Sequence, residues 1–351
     1  MNKYTKIGVT ALSGALASFA VAEAGPISVA GSVTVSNTSV NATGMGSSGT
    51  NGQSLGFNKS FTFSGSGELD NGYAWSYYYA TNEQIAAMTS AQVSFNLDSM
   101  GTLDLNAGAG SPVSSKDDIS PSAWEESWDG TAGGANNVGG ISGGTQITWT
   151  SPADLLPLGT SLQLAYGNEN SGHEGDKGAG AGADATGSGH EIGLTTSLGM
   201  DGLTIGAAYA NIEQTDNTNY SGDQEEFVGY IKYAAGPITV SYQQNVEDPA
   251  VKSIGSVKYY ETVAYGISFQ VNDNLTVSYA EHSNEKAYGA GTTWDMIDGA
   301  TSSVSQDSSG INVAYNLGGA TLKISHNETD NVSYTSTKTK ERTSVALGLA
   351  F

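Results

Sequence analysis

Three five-residue stretches decide the fold: Ile238-Thr239-Val240-Ser241-Tyr242, Leu275-Thr276-Val277-Ser278-Tyr279 and Ile311-Asn312-Val313-Ala314-Tyr315. Each reads apolar, polar, apolar, polar, tyrosine. Leu162, Leu164 and Tyr166 repeat the pattern, as do Leu203, Ile205, Ala207 and Tyr209. Successive side chains of an extended chain point to opposite faces. Every such segment therefore carries one oily face ending in Tyr and one face of Thr, Ser, Asn, Gln, Gly or Ala. In a soluble sandwich the oily face would be the core, and the recurrent tyrosine would have no use. At a bilayer boundary it has one, because the ring sits among acyl ends while the hydroxyl reaches water.

Outward from these segments the punctuation is regular. Short turns fall at Asp70-Asn71-Gly72, Ser99-Met100-Gly101, Met200-Asp201-Gly202, Ala235-Gly236-Pro237, Asn272-Asp273-Asn274 and Gly318-Gly319, with a longer one from Ser151 to Gly159. Gly, Asn and Asp tolerate the positive φ that tight hairpins require. Between the turns lie long polar stretches at 37–53, 82–88, 111–140, 168–188, 213–222, 247–256, 283–304 and 329–337. Short turns alternating with long loops predict sixteen strands. The expected fold is all-β: an up-and-down antiparallel transmembrane β-barrel with short periplasmic turns and long extracellular loops. Two strands are poorly marked, 54–68, where Lys59 breaks the alternation, and 223–234, where both faces carry large residues.

Composition supports this reading by exclusion. Of 351 residues 47 are Gly and only 7 Pro, without the triplet period of collagen, and 18 Tyr, 8 Phe and 5 Trp are too many aromatics for a disordered chain. The net charge of −22 argues against a nucleic-acid partner. The absence of Cys excludes disulfides, thiolate zinc sites and a cysteine nucleophile. At the N-terminus Lys3 and Lys6 precede a mostly apolar stretch from Ile7 to Ala22, followed by Ala22-Glu23-Ala24. This predicts a signal peptide over 1–24, cleaved after Ala24 to leave a barrel over 25–351.

The chain ends Val345-Ala-Leu347-Gly-Leu349-Ala-Phe351, apolar at every odd position. With the signal segment, the lack of Cys, the acidic glycine-rich composition and the turn and loop alternation, it resembles the Gram-negative general-diffusion porin family, and within it the marine alphaproteobacterial type. The resemblance implies an outer-membrane, water-filled channel through which small hydrophilic solutes and ions diffuse passively, with no catalytic residues, cofactor or metal. It also implies a homotrimer in contact with lipopolysaccharide and outer-membrane lipid, and an assembly machinery that reads Phe351. In that family the third long loop folds into the lumen, which here is the segment 111–140. Its acids Asp117, Asp118, Glu125, Glu126 and Asp129 become the candidate constriction, with Trp124 and Trp128, spaced by four as on one face of a helical turn, as wall anchors. The family's proline-glutamate-phenylalanine-glycine loop tip is absent.

Parity from the last strand places Arg342, Lys340 and Lys338 on the inward face, and the same count turns Lys323 and Lys232 inward. Acids on a loop opposite bases on a wall would set a field across the pore, and the excess of acid predicts cation preference. The alternatives are a channel selective for sugars or amino acids, for which Tyr78, Tyr230 and Tyr260 are the inward aromatics, an outer-membrane barrel enzyme using one of His173, His190, His282 and His326, and a surface adhesin without a pore.

Overall fold

A computed structural model describes residues 27–45, 55–82, 88–132, 138–168, 186–215, 219–251, 257–289 and 300–351; the expected signal segment lies outside them. Sixteen strands follow in order: β1 (Ser28–Thr43), β2 (Gly56–Glu68), β3 (Ala74–Thr81), β4 (Met88–Asn96), β5 (Thr102–Ala107), β6 (Thr145–Thr150), β7 (Ser161–Gly167) and β8 (Thr186–Thr196). Then come β9 (Leu203–Gln214), β10 (Gln224–Ala235), β11 (Ile238–Asp248), β12 (Val257–Asn272), β13 (Leu275–Gly289), β14 (Ala300–Asn316), β15 (Thr321–Asp330) and β16 (Thr339–Ala350). Each pairs antiparallel with its neighbours in sequence, and β1 pairs with β16 to close the barrel, so no edge strand remains.

Polarity is inverted relative to a protein folded in water. On β16 Leu347 is 40% exposed, whereas Ser344 between its outward neighbours is fully buried. Ile311 and Asn312 on β14, and Ile324 and Ser325 on β15, repeat the contrast. An apolar face left open around a closed cylinder is stable only against hydrocarbon. On β12 this face runs from Val263 to Val271, nine residues that span about 26 Å of tilted strand. It ends in tyrosines: the hydroxyls of Tyr265 and Tyr279 both donate to Glu281, the latter at 2.6 Å, and that of Tyr209 donates to Glu225. The ring stays with the acyl chains and the carboxylate marks the wet side.

The structure departs from the sequence expectation at the long-loop ends. β1 continues to Thr43, β13 continues to Gly289 and β14 begins at Ala300, where loops over 37–53 and 283–304 were expected. Above the tyrosines both faces are polar, so the ladder continues while the period-two signal fades. Lys59, which interrupts the pattern of β2, is exposed on the same face as Phe57 and Phe63. On β10 Phe227, Ile231 and Tyr233 face outward, and Val228 and Tyr230 inward. Strand lengths also divide the wall, with β3 to β7 spanning 6 to 9 residues and β8 to β16 spanning 10 to 17.

At the seam the N–H of Gly31 donates to the Phe351 carbonyl at 2.7 Å and the N–H of Phe351 donates back at 2.9 Å. The Phe351 ring meets Phe61 edge-on, centroids 6.0 Å apart. A Cβ on Gly31 would stand 2.7 Å from that ring, so glycine is what lets the final aromatic cover the β1 to β16 junction.

Candidate functional site

The chain leaves the wall after Ala107 and rejoins it at Thr145. Gly108 (φ 65°) makes the exit and Gly140 (φ 56°) the return, both in the left-handed region that costs other residues about 1 kcal/mol or more. These turns widen the connection beyond the expected 111–140, since β5 ends at Ala107 and β6 begins at Thr145. Beneath the neck sits Glu191 of β8. One of its oxygens accepts the N–H of Val113 at 2.7 Å and the other that of Ile141 at 2.5 Å, so one carboxylate ties the start of the segment to its end. Glu226 of β10 accepts the N–H groups of Gly139 and Gly140 at 2.8 and 2.7 Å. Val113 and Val138 pack with Ala208, Ala210 and Val228 on the inner wall.

From the neck the segment runs along the wall, held mostly by its own backbone. The N–H of Ile119 donates to Gln243 of β11 at 2.8 Å, and Asn245 donates to the Asp117 carbonyl at 3.0 Å. On β13, Ser278 accepts the N–H of Ala123 at 2.8 Å. Asn312 of β14 exchanges two bonds with the Glu125 backbone, at 3.1 and 2.9 Å. On β15, Ser325 donates to a Glu125 carboxylate oxygen at 2.6 Å, and Asn327 donates to the carbonyls of Glu126 and Asp129 at 2.9 and 3.1 Å. Every one of these wall residues lies on the strand face opposite the apolar one, which is the inside of the cylinder.

The indoles face the same wall. Trp128 lies against His282 with ring centroids 4.3 Å apart, and Lys323 places its ammonium 5.9 Å from the Trp124 ring centroid. The spacing of four predicted one helical face; instead a single turn closes on the Trp128 carbonyl, which accepts the N–H groups of Thr131 and Ala132 at 3.0 Å, and Trp124 lies outside it. Asn312 and Asn327 take the backbone groups that a helix would use internally.

Of the acids, Glu125 turns back to the wall, where Arg342 meets it at 3.2 Å and also donates to the Asp129 carbonyl at 3.0 Å. These two charges form a contact rather than facing one another across open water. Asp117, Asp118 and Glu126 behave differently. Partial burial, then the neighbouring Asp118, pushes Asp117 up to about 7. Partial burial and Asp129 raise Asp118 to about 6, opposed by a hydrogen bond with Glu126. Burial, Asp118 and Asp129 raise Glu126 to about 8, with Lys232 pulling the other way. At neutral pH the Asp118 and Glu126 pair therefore holds about one proton between its two carboxyls. Lys116, buried at the neck, is lowered by its burial and donates to Gln163 at 2.7 Å.

Among the other predicted residues, Lys340 is half-buried on β16 opposite Ala42 and Thr329, near the long-loop end. Lys338 precedes that strand, its carbonyl accepting the Val332 N–H at 3.0 Å. Glu191 and Glu226 are not among the residues expected from the sequence, although a lone acid at an inward position of a membrane strand is a usable signal. Among the described residues no group of His, Asp and Glu has the geometry to hold a metal ion.

The sequence profile of the Gram-negative porin family matches residues 8–334. A search of curated protein sequences finds no match. Among solved structures, the Salmonella typhi OmpF complex with daunomycin aligns over 93% of this chain and 97% of its own, with a TM-score of 0.65 and 15% identity. The Vibrio cholerae outer-membrane protein OmpT lacking loop L8 aligns over 93% and 99%, with a TM-score of 0.62 and 9% identity. The outer-membrane channel DcaP of Acinetobacter baumannii aligns over 93% and 97%, with a TM-score of 0.62 and 11% identity.

Proposed function

Because the chain belongs to the Gram-negative porin family, whose members are passive channels of the outer membrane, we propose that it forms a cation-preferring, water-filled pore for small hydrophilic solutes, narrowed by the segment between β5 and β6. The carrying observation is that this segment is bonded, from Val113 to Asp129, to inward side chains of β8, β11, β13, β14, β15 and β16. Such a strap occupies the tall side of the cylinder. The passage it leaves runs beside β1 to β4, whose inward positions carry Ser32, Thr34, Ser36, Ser60, Thr62, Ser94 and other small polar groups. Hydroxyl-lined wall on one side and the carboxyls of Asp117, Asp118, Glu126 and Asp129 on the other give a path that admits hydrated cations and neutral polar solutes more readily than anions.

The low wall of β3 to β7 and the adjoining face of β1 and β2 are where we place the contact between copies in a homotrimer, with lipopolysaccharide and outer-membrane lipid against the rest. Phe351, fixed over the seam, is the residue we assign to recognition by the assembly machinery; a signal peptide over 1–24 completes the export route. Diffusion needs no bond to be made or broken, so no residue is given a catalytic role. Planar-bilayer recording tests the reading. Stepwise conductance with a reversal potential on the cation side is expected in a salt gradient; absence of steps overturns the channel, and a reversal potential on the anion side overturns the charge assignment.

A further inference from the structure

Near the long-loop end of the lumen, away from the strap, Lys286 of β13 lies among three tyrosines. Its ammonium is 5.6 Å from the ring centroid of Tyr260, 5.5 Å from that of Tyr288 and 5.3 Å from that of Tyr334. All four residues are half-buried and thus reachable from water. Lys286 pairs across the ladder with Tyr260 and shares the inward face with His282 and Asn284, the former in contact with Trp128. It stands eight residues, or about 26 Å, along the strand from Ser278, which puts it in the vestibule above the strap.

Two features mark this cluster as built. First, Tyr334 arrives from the connection between β15 and β16 through consecutive non-glycine residues in the left-handed region, Ser333 at φ 56° and Tyr334 at φ 55°, after Asn331 at φ 53°. Such backbone costs of order 1–3 kcal/mol per residue and persists only where surrounding contacts enforce it. Here the enforcing contacts are Ser333 N–H to Gln306 at 2.7 Å, Asn331 to the Ser305 carbonyl at 3.0 Å, and the Tyr334 hydroxyl to Asn284. Their joint effect is to hold the Tyr334 ring 5.9 Å from that of Tyr260, beside the lysine.

Second, the lysine has no carboxylate partner among the described residues. The nearby acids of β12, β13 and β14 take the other face and are already engaged: Gln244 donates to Glu261, Tyr259 donates to Glu285 at 3.1 Å, and Ser283 donates to Asp307 at 2.6 Å; Glu247 of β11 shares the inward face opposite Tyr260, two strands away from Lys286. Among the described residues the charge of Lys286 meets ring faces, an attraction weaker than a carboxylate would provide. An ammonium beside flat phenol ring faces suits a ligand that joins an anion to a ring with an apolar C–H face.

The geometry points to Lys286, Tyr260, Tyr288 and Tyr334 as a docking site for sugar acids at the extracellular mouth, with the carboxylate on Lys286 and the pyranose face on a tyrosine. The inference rests on the channel reading only for the site's place in the vestibule: it names a ligand held at the mouth and leaves the cation preference of the path beside the strap as it is. Saturation-transfer NMR on the full chain folded in detergent tests it, with glucuronate, glucose and acetate as probes. Glucuronate is expected to bind, with glucose and acetate weaker by about tenfold or more, because each offers half of the recognised chemistry. Lys286→Met should weaken glucuronate by about tenfold, and Tyr334→Ala severalfold, while heat-modifiable gel mobility reports that each barrel is folded. Equal binding of glucose or acetate, no binding of glucuronate, or glucuronate binding unchanged in both variants overturns the site. The binding measurement is independent of conduction: a chain that binds glucuronate but never conducts overturns the channel and leaves the site, and one that conducts without binding does the reverse.

Discussion

Lowering the pH from 9 to 5 should abolish most of the cation preference, and the midpoint should lie near neutrality rather than in the ordinary carboxylate range. Asp117 at about 7, Asp118 at about 6 and Glu126 at about 8 are neutral below these values and charged above them. Together they carry about three negative charges at pH 9, about 1.5 at pH 7 and almost none at pH 5. For an ion passing ~10 Å from one such charge in water, the interaction is about 0.4 kcal/mol, reduced to about 0.3 kcal/mol by screening at 10 mM salt. Each charge helps the cation and hinders the anion by this amount, so the permeability ratio changes about threefold per charge and about twentyfold over the whole range. At 100 mM salt the same loss is only about four- to fivefold. The assay is the reversal potential across a planar bilayer in a tenfold potassium chloride gradient, stepped through pH. Glu126→Gln supplies the internal control: its carboxyl is already mostly protonated at pH 7, so selectivity there should hardly move, while at pH 9 it should fall about threefold at low salt. A selectivity that is flat between pH 5.5 and 8.5, or a Glu126→Gln effect as large at pH 7 as at pH 9, would refute the placement of these carboxyls beside the ion path.

Arg342→Gln removes the cation paired with Glu125 at 3.2 Å and should raise cation selectivity in the same measurement, with the barrel still heat-modifiable on gels. Glu191→Ala deprives Val113 and Ile141 of their shared acceptor, a loss of about 1 kcal/mol or more per bond; single-channel records should show a noisier open state at unchanged barrel yield. Gly31→Val places side-chain atoms where the Phe351 ring lies and should lower the temperature at which the folded band is lost on gels, more than Gly65→Val, where a Cβ meets nothing within 4 Å.

How much was legible depended on which solvent each residue meets. β11, β13 and β14 announce themselves because lipid on one side and water on the other force a strict alternation over 238–242, 275–279 and 311–315. Once the outward face also meets water, as at Ser283 and Glu285, the hydrogen-bonded ladder imposes no such preference and the strand ends become unreadable. The inward direction of Arg342 follows from parity with Val345, yet its partner Glu125 does not, since 217 residues separate them and only the path of the strap brings them together. That path is set by Ser278, Asn312 and Asn327, which in sequence are indistinguishable from any polar residue of a strand. Trp124 and Trp128 suggested a helix because spacing was the only information present; the competing acceptors and donors on the wall are visible only in three dimensions.

The strap is fastened by what every amino acid shares. From Ile119 to Asp129 its ties to β11 and β13, and to Asn327 of β15, use amide N–H and carbonyl groups of the strap itself, while the side chains that grip them belong to the barrel. Its position is thus an inheritance from the wall, and its chemistry is free to drift. On the proposed function, replacement of Asp117, Asp118 or Glu126 would alter what the pore repels without unfastening the strap, so a lineage carrying this barrel could retune its permeability within one short stretch of sequence while the rest of the molecule stays as it is.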